Sequence, residues 1–387
     1  MTGASKFFGK ILLLALLNVP VARATDGPIR RRQVLDVVRK TADWQLRNLP
    51  EKTTNSSGHV EVLAPTGWVR AAFQTGLLAT HEATGERRYL DTLRAWSQRS
   101  GWKLGPRFAH ADDHCVGQTY LALYRLQPDP AKITPLRTTF DGILANPQPG
   151  PVAGWEKSKN WSWCDALFMA PPAWAALSAV TGDRRYLDFM TARWWETHDL
   201  LFDKTENLYY RDERFVWKNG TQPPADPTMK TRDGGKILWS RGNGWVLAGL
   251  VRVLDAMPKE YPARPRFEAL FRDMARRIVA SQGADGLWPT NLMPDAEFPT
   301  PESSGSAFFC YGLAWGIRTG LLPEKQYGPA LRRAWQGLMK CVTPEGKLGY
   351  AQRVGHRPVA VSPDDSMEYA TGALMLAGRE LLRMKRP

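Results

Sequence analysis

The chain has 387 residues, of which 43% are hydrophobic, and 52 lysines and arginines outweigh 38 acids to give a formal net charge of +14. That surplus suits an acidic ligand, but the basic residues are dispersed and the longest run is Arg30-Arg31-Arg32. The clustered stripe of a nucleic-acid binder is missing, so no nucleic-acid partner is expected. Cys115, Cys164, Cys310 and Cys341 stand far apart with no CxxC pair, which argues against a zinc cluster and against a dense disulfide framework.

The chain opens with Lys6 and Lys10, an apolar run over residues 11–17, and the small-x-small sequence Ala22-Arg23-Ala24. This reads as a secretory signal peptide over residues 1–24, with export to the periplasm or beyond. No other window approaches about 18 uninterrupted apolar residues, so no membrane span is expected. Residues 25–387 are expected to form a single domain.

Two kinds of helix then alternate. RRQVLDVVRKTADWQL from Arg31 is amphipathic, and WVRAAFQTGLLATHEATG from Trp68 is apolar nearly all round, the mark of a buried helix. RRYLDTLRAWSQRS from Arg87 is again amphipathic, followed by two buried stretches, DHCVGQTYLALYRL from Asp113 and WCDALFMAPPAWAALSAVTG from Trp163. Next come RRYLDFMTARWWETH from Arg184, amphipathic, GNGWVLAGLVRVLDAMP from Gly242, buried, and RPRFEALFRDMARRIVASQ from Arg264, amphipathic. SGSAFFCYGLAWGIRTGLL from Ser304, YGPALRRAWQGLMKCV from Tyr327 and DSMEYATGALMLAGRELL from Asp365 close the series. Strand signals are sparse.

TGERRYLD at Thr84 recurs as TGDRRYLD at Thr181, the same glycine-ended helix and basic restart used twice. Six outer–inner helix pairs predict an all-α (α/α)6 toroid, with buried helices as an inner ring and amphipathic ones as a jacket. Two separate helical domains are the alternative. The even spacing of buried helices, with no linker between them, favours the ring.

In such a ring the starts of the inner helices share one end, and their N-termini aim partial positive charge into it. Residues at those starts include Trp68, Asp112, Asp113, Trp163, Asp165, Trp239, Arg241 and Trp245. Indoles stack on the apolar faces of sugars while charged groups take the hydroxyls, so a saccharide cleft is expected. Asp165 stands inside the apolar run WSWCDALFMAPPA of residues 161–173, where burial penalises the carboxylate and favours the protonated acid. A helix cap is the competing explanation. Asp113 is the expected second carboxylate, and two carboxyls in unequal environments are the usual glycoside-hydrolase device.

Arg241, close to Trp239 and flanked by glycine, suits a planar grip on a ligand carboxylate. His110 and His114 share a helix face but no HExxH frames them, so no metal is expected. GxGxxG, GxxxxGK[ST] and GxSxG patterns are absent, and no cofactor is expected.

The segments HADDHCVGQTYLALYRL, WSWCDALFMAPPAW, KILWSRGNGWVLAGLVRVL and ESSGSAFFCYGLAWGI, in this order, resemble glycoside hydrolase family 105. The resemblance covers nearly all of residues 25–387, and family 88 is related and shares the chemistry. It implies an (α/α)6 barrel and an exo-acting enzyme that trims a 4,5-unsaturated uronic acid from the non-reducing end of lyase products. By that resemblance Asp165 protonates C4 of the enol ether, water adds at C5, and the resulting hemiketal opens to release the sugar. Trp163 is the tryptophan two residues before it, and Asp113, four before Gly117, matches the second aspartate. Trp239, Arg241 and Trp245 match a W-x-R-x-x-x-W substrate motif, and Trp68 matches a first-helix tryptophan.

The chain departs from some members in two places. LYYRD carries Arg211, a further candidate for the uronate, where a histidine stands elsewhere. WEKSK (155–159) also occupies a position that holds a histidine in some members. Galacturonyl and glucuronyl substrates both stay open. So do conventional inverting hydrolysis by Asp113 and Asp165, which suits carboxyls about 6.5–9.5 Å apart, a lyase or epimerase on the same fold, and a non-catalytic binder of acidic glycans.

Overall fold

The computed structural model describes residues 27–147, 161–294, 297–298 and 300–385. The expected signal peptide and the WEKSK segment lie outside the described residues. Seven helices run through the first half: α1 (Arg31–Arg47), α2 (Trp68–Thr84), α3 (Arg87–Arg99), α4 (Ala111–His114), α5 (Gly117–Leu126), α6 (Thr134–Ala145) and α7 (Ala166–Met169). Seven more follow: α8 (Pro171–Thr181), α9 (Arg184–Leu201), α10 (Ser240–Ala256), α11 (Arg264–Ala280), α12 (Ser303–Thr319), α13 (Glu324–Lys340) and α14 (Glu368–Arg383).

The inner ring closes on itself. α2 packs on α5, α5 on α8, α8 on α10, α10 on α12, α12 on α14, and α14 back on α2. The outer helix α1 covers the seam by touching both α2 and α14. Burial separates the two classes as their sequences require: α12 is buried along residues 303–316, whereas α3 buries only Tyr89, Leu90, Leu93 and Ser97. At the seam the backbones meet without side chains between them. A Cβ on Gly76 would lie 2.5 Å from Gly372 Cα, and one on Gly372 would lie 2.7 Å from the Ala72 carbonyl oxygen.

The repeated octapeptide adopts one geometry twice. Gly85 and Gly182 sit at φ +73° and +72° in the left-handed region, and their N–H groups bond the His81 and Ser178 carbonyls at 2.8 and 2.9 Å. Glycine adopts that conformation without a Cβ penalty, ending the inner helix so that the basic outer helix can restart.

Two expected inner helices are broken. The stretch from Asp113 becomes α4 and α5, separated at Cys115 and Val116, and the stretch from Trp163 becomes α7 and α8. Pro171 and Pro172 lack N–H groups and cannot continue a helix from α7, but they suit the first turn of α8. The two detached turns carry the acidic residues. Three small antiparallel hairpins add to the helices: β1 (Lys52–Thr54) with β2 (Val60–Val62), β3 (Phe202–Asp203) with β4 (Leu208–Tyr209), and β5 (Trp288–Pro289) with β6 (Pro301–Glu302). No described helix is long and apolar enough to cross a membrane.

Candidate active site

A cavity of about 490 Å³ opens at the end of the ring where the inner helices begin. Trp68, Asp112, Asp113, Trp163, Asp165, Arg211 and Arg241 line it. The β1–β2 hairpin supplies Glu61 and Val62 to one side, and Val354 and Gly355 stand at the other. The Ser56 N–H bonds the Val354 carbonyl at 2.7 Å, tying these two walls together.

Asp165 owes its position to a backbone clamp. Trp163 forms a β-bridge with Asp212, and the Cys164 N–H donates to the Arg211 carbonyl at 2.8 Å, laying the segment before α7 beside the segment after β4. Asp165 precedes α7, yet its backbone is itself helical (φ −61°, ψ −28°) and its carboxylate accepts no capping hydrogen bond. The capping explanation therefore fails. The side chain is buried, with the Cys164 thiol donating weakly at 3.4 Å and Arg211 Nε 3.9 Å from Oδ2. Burial raises the proton affinity of this carboxyl above the ordinary carboxylate range, and the positive charges of Arg211 and Arg241 offset part of the rise.

Asp113 and Asp112 are adjacent in sequence and differ in setting. The Asp113 carboxylate takes the Arg107 backbone N–H at 2.6 Å and the Arg107 guanidinium at both oxygens. Gly105 lies so close that a Cβ there would be 2.4 Å from Asp113 Cγ. Asp112 makes longer contacts, 3.8 Å to Arg107 and 3.7 Å to His110. Burial pushes its carboxyl up to about 7; Arg107 opposes this, while the like charges of Asp165 and Asp113 add to it. Asp112 is thus the carboxyl electrostatically coupled to Asp165, and Asp113 is braced by an arginine.

Arg211 lines the cavity while bonding Asp212 at 2.7 Å. Burial works to raise the Asp212 carboxyl, but Arg214 and Arg211 outweigh it and hold Asp212 below the usual range. Arg241 is sandwiched between Trp239 and Tyr369, 4.4 and 4.8 Å from the ring centres, and donates to the carbonyls of Gln352 and Arg353. Two of its N–H bonds are committed to the backbone, so it meets the cavity as a fixed positive charge.

Trp68 stacks on Tyr369 at 5.3 Å and leaves part of its ring at the cavity, and Trp163 lies 4.9 Å from His110. The structure does not bring Trp239 or Trp245 to the cavity wall. Trp239 is fully buried, with its indole N–H on Gln352, and Trp245 is buried against Phe168, Phe308 and Trp68. Helix geometry explains this: α10 is buried on every face along residues 240–251, so its first turn points these indoles into packing and Arg241 into the cavity. His114 is a buried neutral ring between the Phe108 carbonyl and the Trp174 indole. Burial drives its pKa down to about 4.

Sequence reasoning missed Arg107 and the β1–β2 lip. The lip had a legible signal in KTT-NSSG-HVEV, short β-prone runs around a turn sequence. Arg107 had none, because its partnership with Asp113 depends on the fold of the loop between α3 and α4.

The chain matches Glycosyl Hydrolase Family 88 over residues 37–385. It is 38% identical over 330 residues to an unsaturated 3S-rhamnoglycuronyl hydrolase of Formosa agariphila, covering 84% of this chain and 86% of that one. A solved family 88 glycosyl hydrolase from Bacteroides vulgatus superposes with a TM-score of 0.79 at 27% identity, covering 92% of this chain and 99% of that chain. A solved structure described as a polysaccharide lyase is similar at TM-score 0.78 and 29% identity, over 91% and 97% of the two chains. A toroid whose inner-helix starts gather buried carboxyls, arginines and indoles, matched over nearly its whole length, belongs to glycosyl hydrolase family 88 and is a glycoside hydrolase.

Proposed function

We propose that this enzyme removes a 4,5-unsaturated uronic acid from the non-reducing end of oligosaccharides by hydrating the C4=C5 double bond, with Asp165 as proton donor. The observation that carries this reading is the setting of Asp165: buried, free of any capping role, facing the cavity, and flanked by two arginines. Protonating carbon at near-neutral pH needs an acid that still holds its proton, which burial favours. The nearby guanidinium charges of Arg211 and Arg241 suit the substrate carboxylate at C5.

In the proposed reaction the Asp165 proton goes to C4 and the double-bond electrons form the new C–H bond. The positive charge at C5 is shared with the ring oxygen, and water adds there while its proton returns to a carboxylate. The hemiketal then breaks its C5–O ring bond, and the exposed hemiacetal at C1 releases the remaining saccharide. Asp113, braced by Arg107, and Asp112, coupled to Asp165, complete the carboxyl group set. Trp68 and Trp163 supply apolar surface to the sugar faces. The relative from Formosa agariphila supports a uronate linked to rhamnose. The lysines and apolar run of residues 1–24 support export.

The test follows the ultraviolet absorbance of the C4=C5 chromophore on adding protein to lyase-generated oligosaccharides. Loss of absorbance with release of the shortened saccharide is expected, and saturated oligosaccharides should not turn over. The similarity to the structure described as a lyase favours a second reading, elimination on an intact polysaccharide, in which the same absorbance would rise. A rise, or equal turnover of saturated and unsaturated chains, refutes hydration.

A further inference from the structure

A second cavity, about 510 Å³, lies on the outer side of the catalytic mouth. Its wall comprises Pro65, Thr66, Arg70, Trp96, Arg99 and Lys103, with Ser100 and Leu104 completing it. Thr66 lines both cavities. Trp68 and Arg70 stand two residues apart in the first turn of α2, about 200° around the helix, so the catalytic cavity and this groove take opposite faces of one turn. The segment between them, Ala64 to Thr66, is a lip that a saccharide leaving the catalytic cavity crosses.

The groove is cationic and carries no acid on its wall. Arg70 is committed at 2.6 Å to the buried Glu368 and bonds the Pro50 carbonyl at 3.0 Å. Arg99 and Lys103 are exposed, and neither makes an ion pair among the described residues. Two uncommitted cations thus border a half-buried indole, Trp96. An indole face with flanking cations is the combination that holds an acidic sugar, the ring stacking on C–H surface while the cations meet the anion.

We propose that this groove is a distal subsite that binds an anionic sugar, carrying a sulfate ester or a carboxylate, in the part of the oligosaccharide leading away from the unsaturated end. The proposal rests on the exo-acting reading above, which places the non-reducing end in the catalytic cavity and sends the rest of the chain outward. Longer acidic oligosaccharides then gain affinity that a disaccharide does not. The gain is electrostatic and falls as salt rises.

The experiment compares the wild-type protein with the double variant Arg99→Ala/Lys103→Ala on an unsaturated disaccharide and on unsaturated tetrasaccharides. One tetrasaccharide carries a sulfate on its distal sugars, one a carboxylate alone, and one neither. The expected result is a KM rise of about tenfold, confined to the anionic tetrasaccharides, with kcat and disaccharide turnover unchanged; a tenfold change is the scale of one exposed charge-assisted contact pair. The sulfated and carboxylated arms identify which anion the groove takes. The same ratio on all substrates, or no change on any, overturns the proposal. Calorimetric binding of a saturated acidic tetrasaccharide to both proteins reads the groove independently of turnover. If wild-type protein hydrates nothing yet loses that binding on double substitution, the catalytic reading fails and the subsite stands.

Discussion

Replacing Asp165 by asparagine separates catalysis from stability in one substitution. The carboxylate caps no helix, its one hydrogen-bond donor is a thiol at 3.4 Å, and Arg211 is 3.9 Å away. Asparagine has nearly the same size, so little packing or hydrogen bonding is lost. Removing a general acid costs about 10²–10⁴-fold in rate, or about 3–5 kcal/mol in the barrier, and kcat/KM on an unsaturated substrate should fall by at least that. Binding should persist or tighten, since a negative charge no longer faces the substrate carboxylate.

Stability moves the other way. Burial raises the folded-state pKa of Asp165 above its unfolded value, so the native state holds its proton more tightly. The wild type then loses stability as pH rises from about 4, the ordinary aspartate value, up to the folded pKa. The variant does not. At pH 7 the variant should melt at or above the wild-type temperature, and below about pH 4 the two should coincide. Turnover by chromophore loss and melting by circular dichroism measure both. Retention of more than about a tenth of the activity, or a lower melting temperature at neutral pH, refutes the assignment.

Activity should decline on the alkaline side as Asp165 loses its proton. Asp112→Asn should move that limb to lower pH, because the like charge of Asp112 helps keep Asp165 protonated; a pH profile of kcat/KM with an unmoved limb contradicts the coupling. Gly105→Ala places a Cβ 2.4 Å from Asp113 Cγ and should cut kcat while the protein stays folded, checked by turnover alongside circular dichroism. Gly249→Ala sets a Cβ 2.2 Å from the Leu167 carbonyl oxygen, where α10 meets α7. It should cost about 1–3 kcal/mol by denaturant unfolding and lower activity by shifting the turn that follows Asp165.

The ring was legible because its inner helices are apolar on every face and its repeats share the Thr-Gly-x-Arg-Arg-Tyr-Leu-Asp restart. The outer helix α6 was not among the helices expected. Its sequence TPLRTTFDGILA buries only Leu136, Phe140 and Ile143, a weak amphipathic signal next to the basic helices. Asp165, Asp113, Arg211, Arg241, Trp68 and Trp163 converge on one cavity, as their positions at helix starts required. Trp239 and Trp245 could not be separated from cavity residues by type alone, since stacking on a sugar and stacking on Arg241 or Phe308 both call for an indole. The division of labour between Asp112 and Asp113 depends on the side of a four-residue turn each faces. A sequence of two adjacent aspartates does not encode which one an arginine from a distant loop will claim.

The seam between α2 and α14 fixes how the molecule comes apart. A solenoid of helix pairs has two ends, and stability there is a sum over neighbours, so terminal units fray first. Here the last inner helix touches the first through Gly76 and Gly372, backbone against backbone, with α1 bound over both. No pair is terminal, and a seventh could not be added without reopening that contact. The C-terminal helix should therefore exchange its amide hydrogens at the rate of the deepest core, and trimming it should unfold the whole ring.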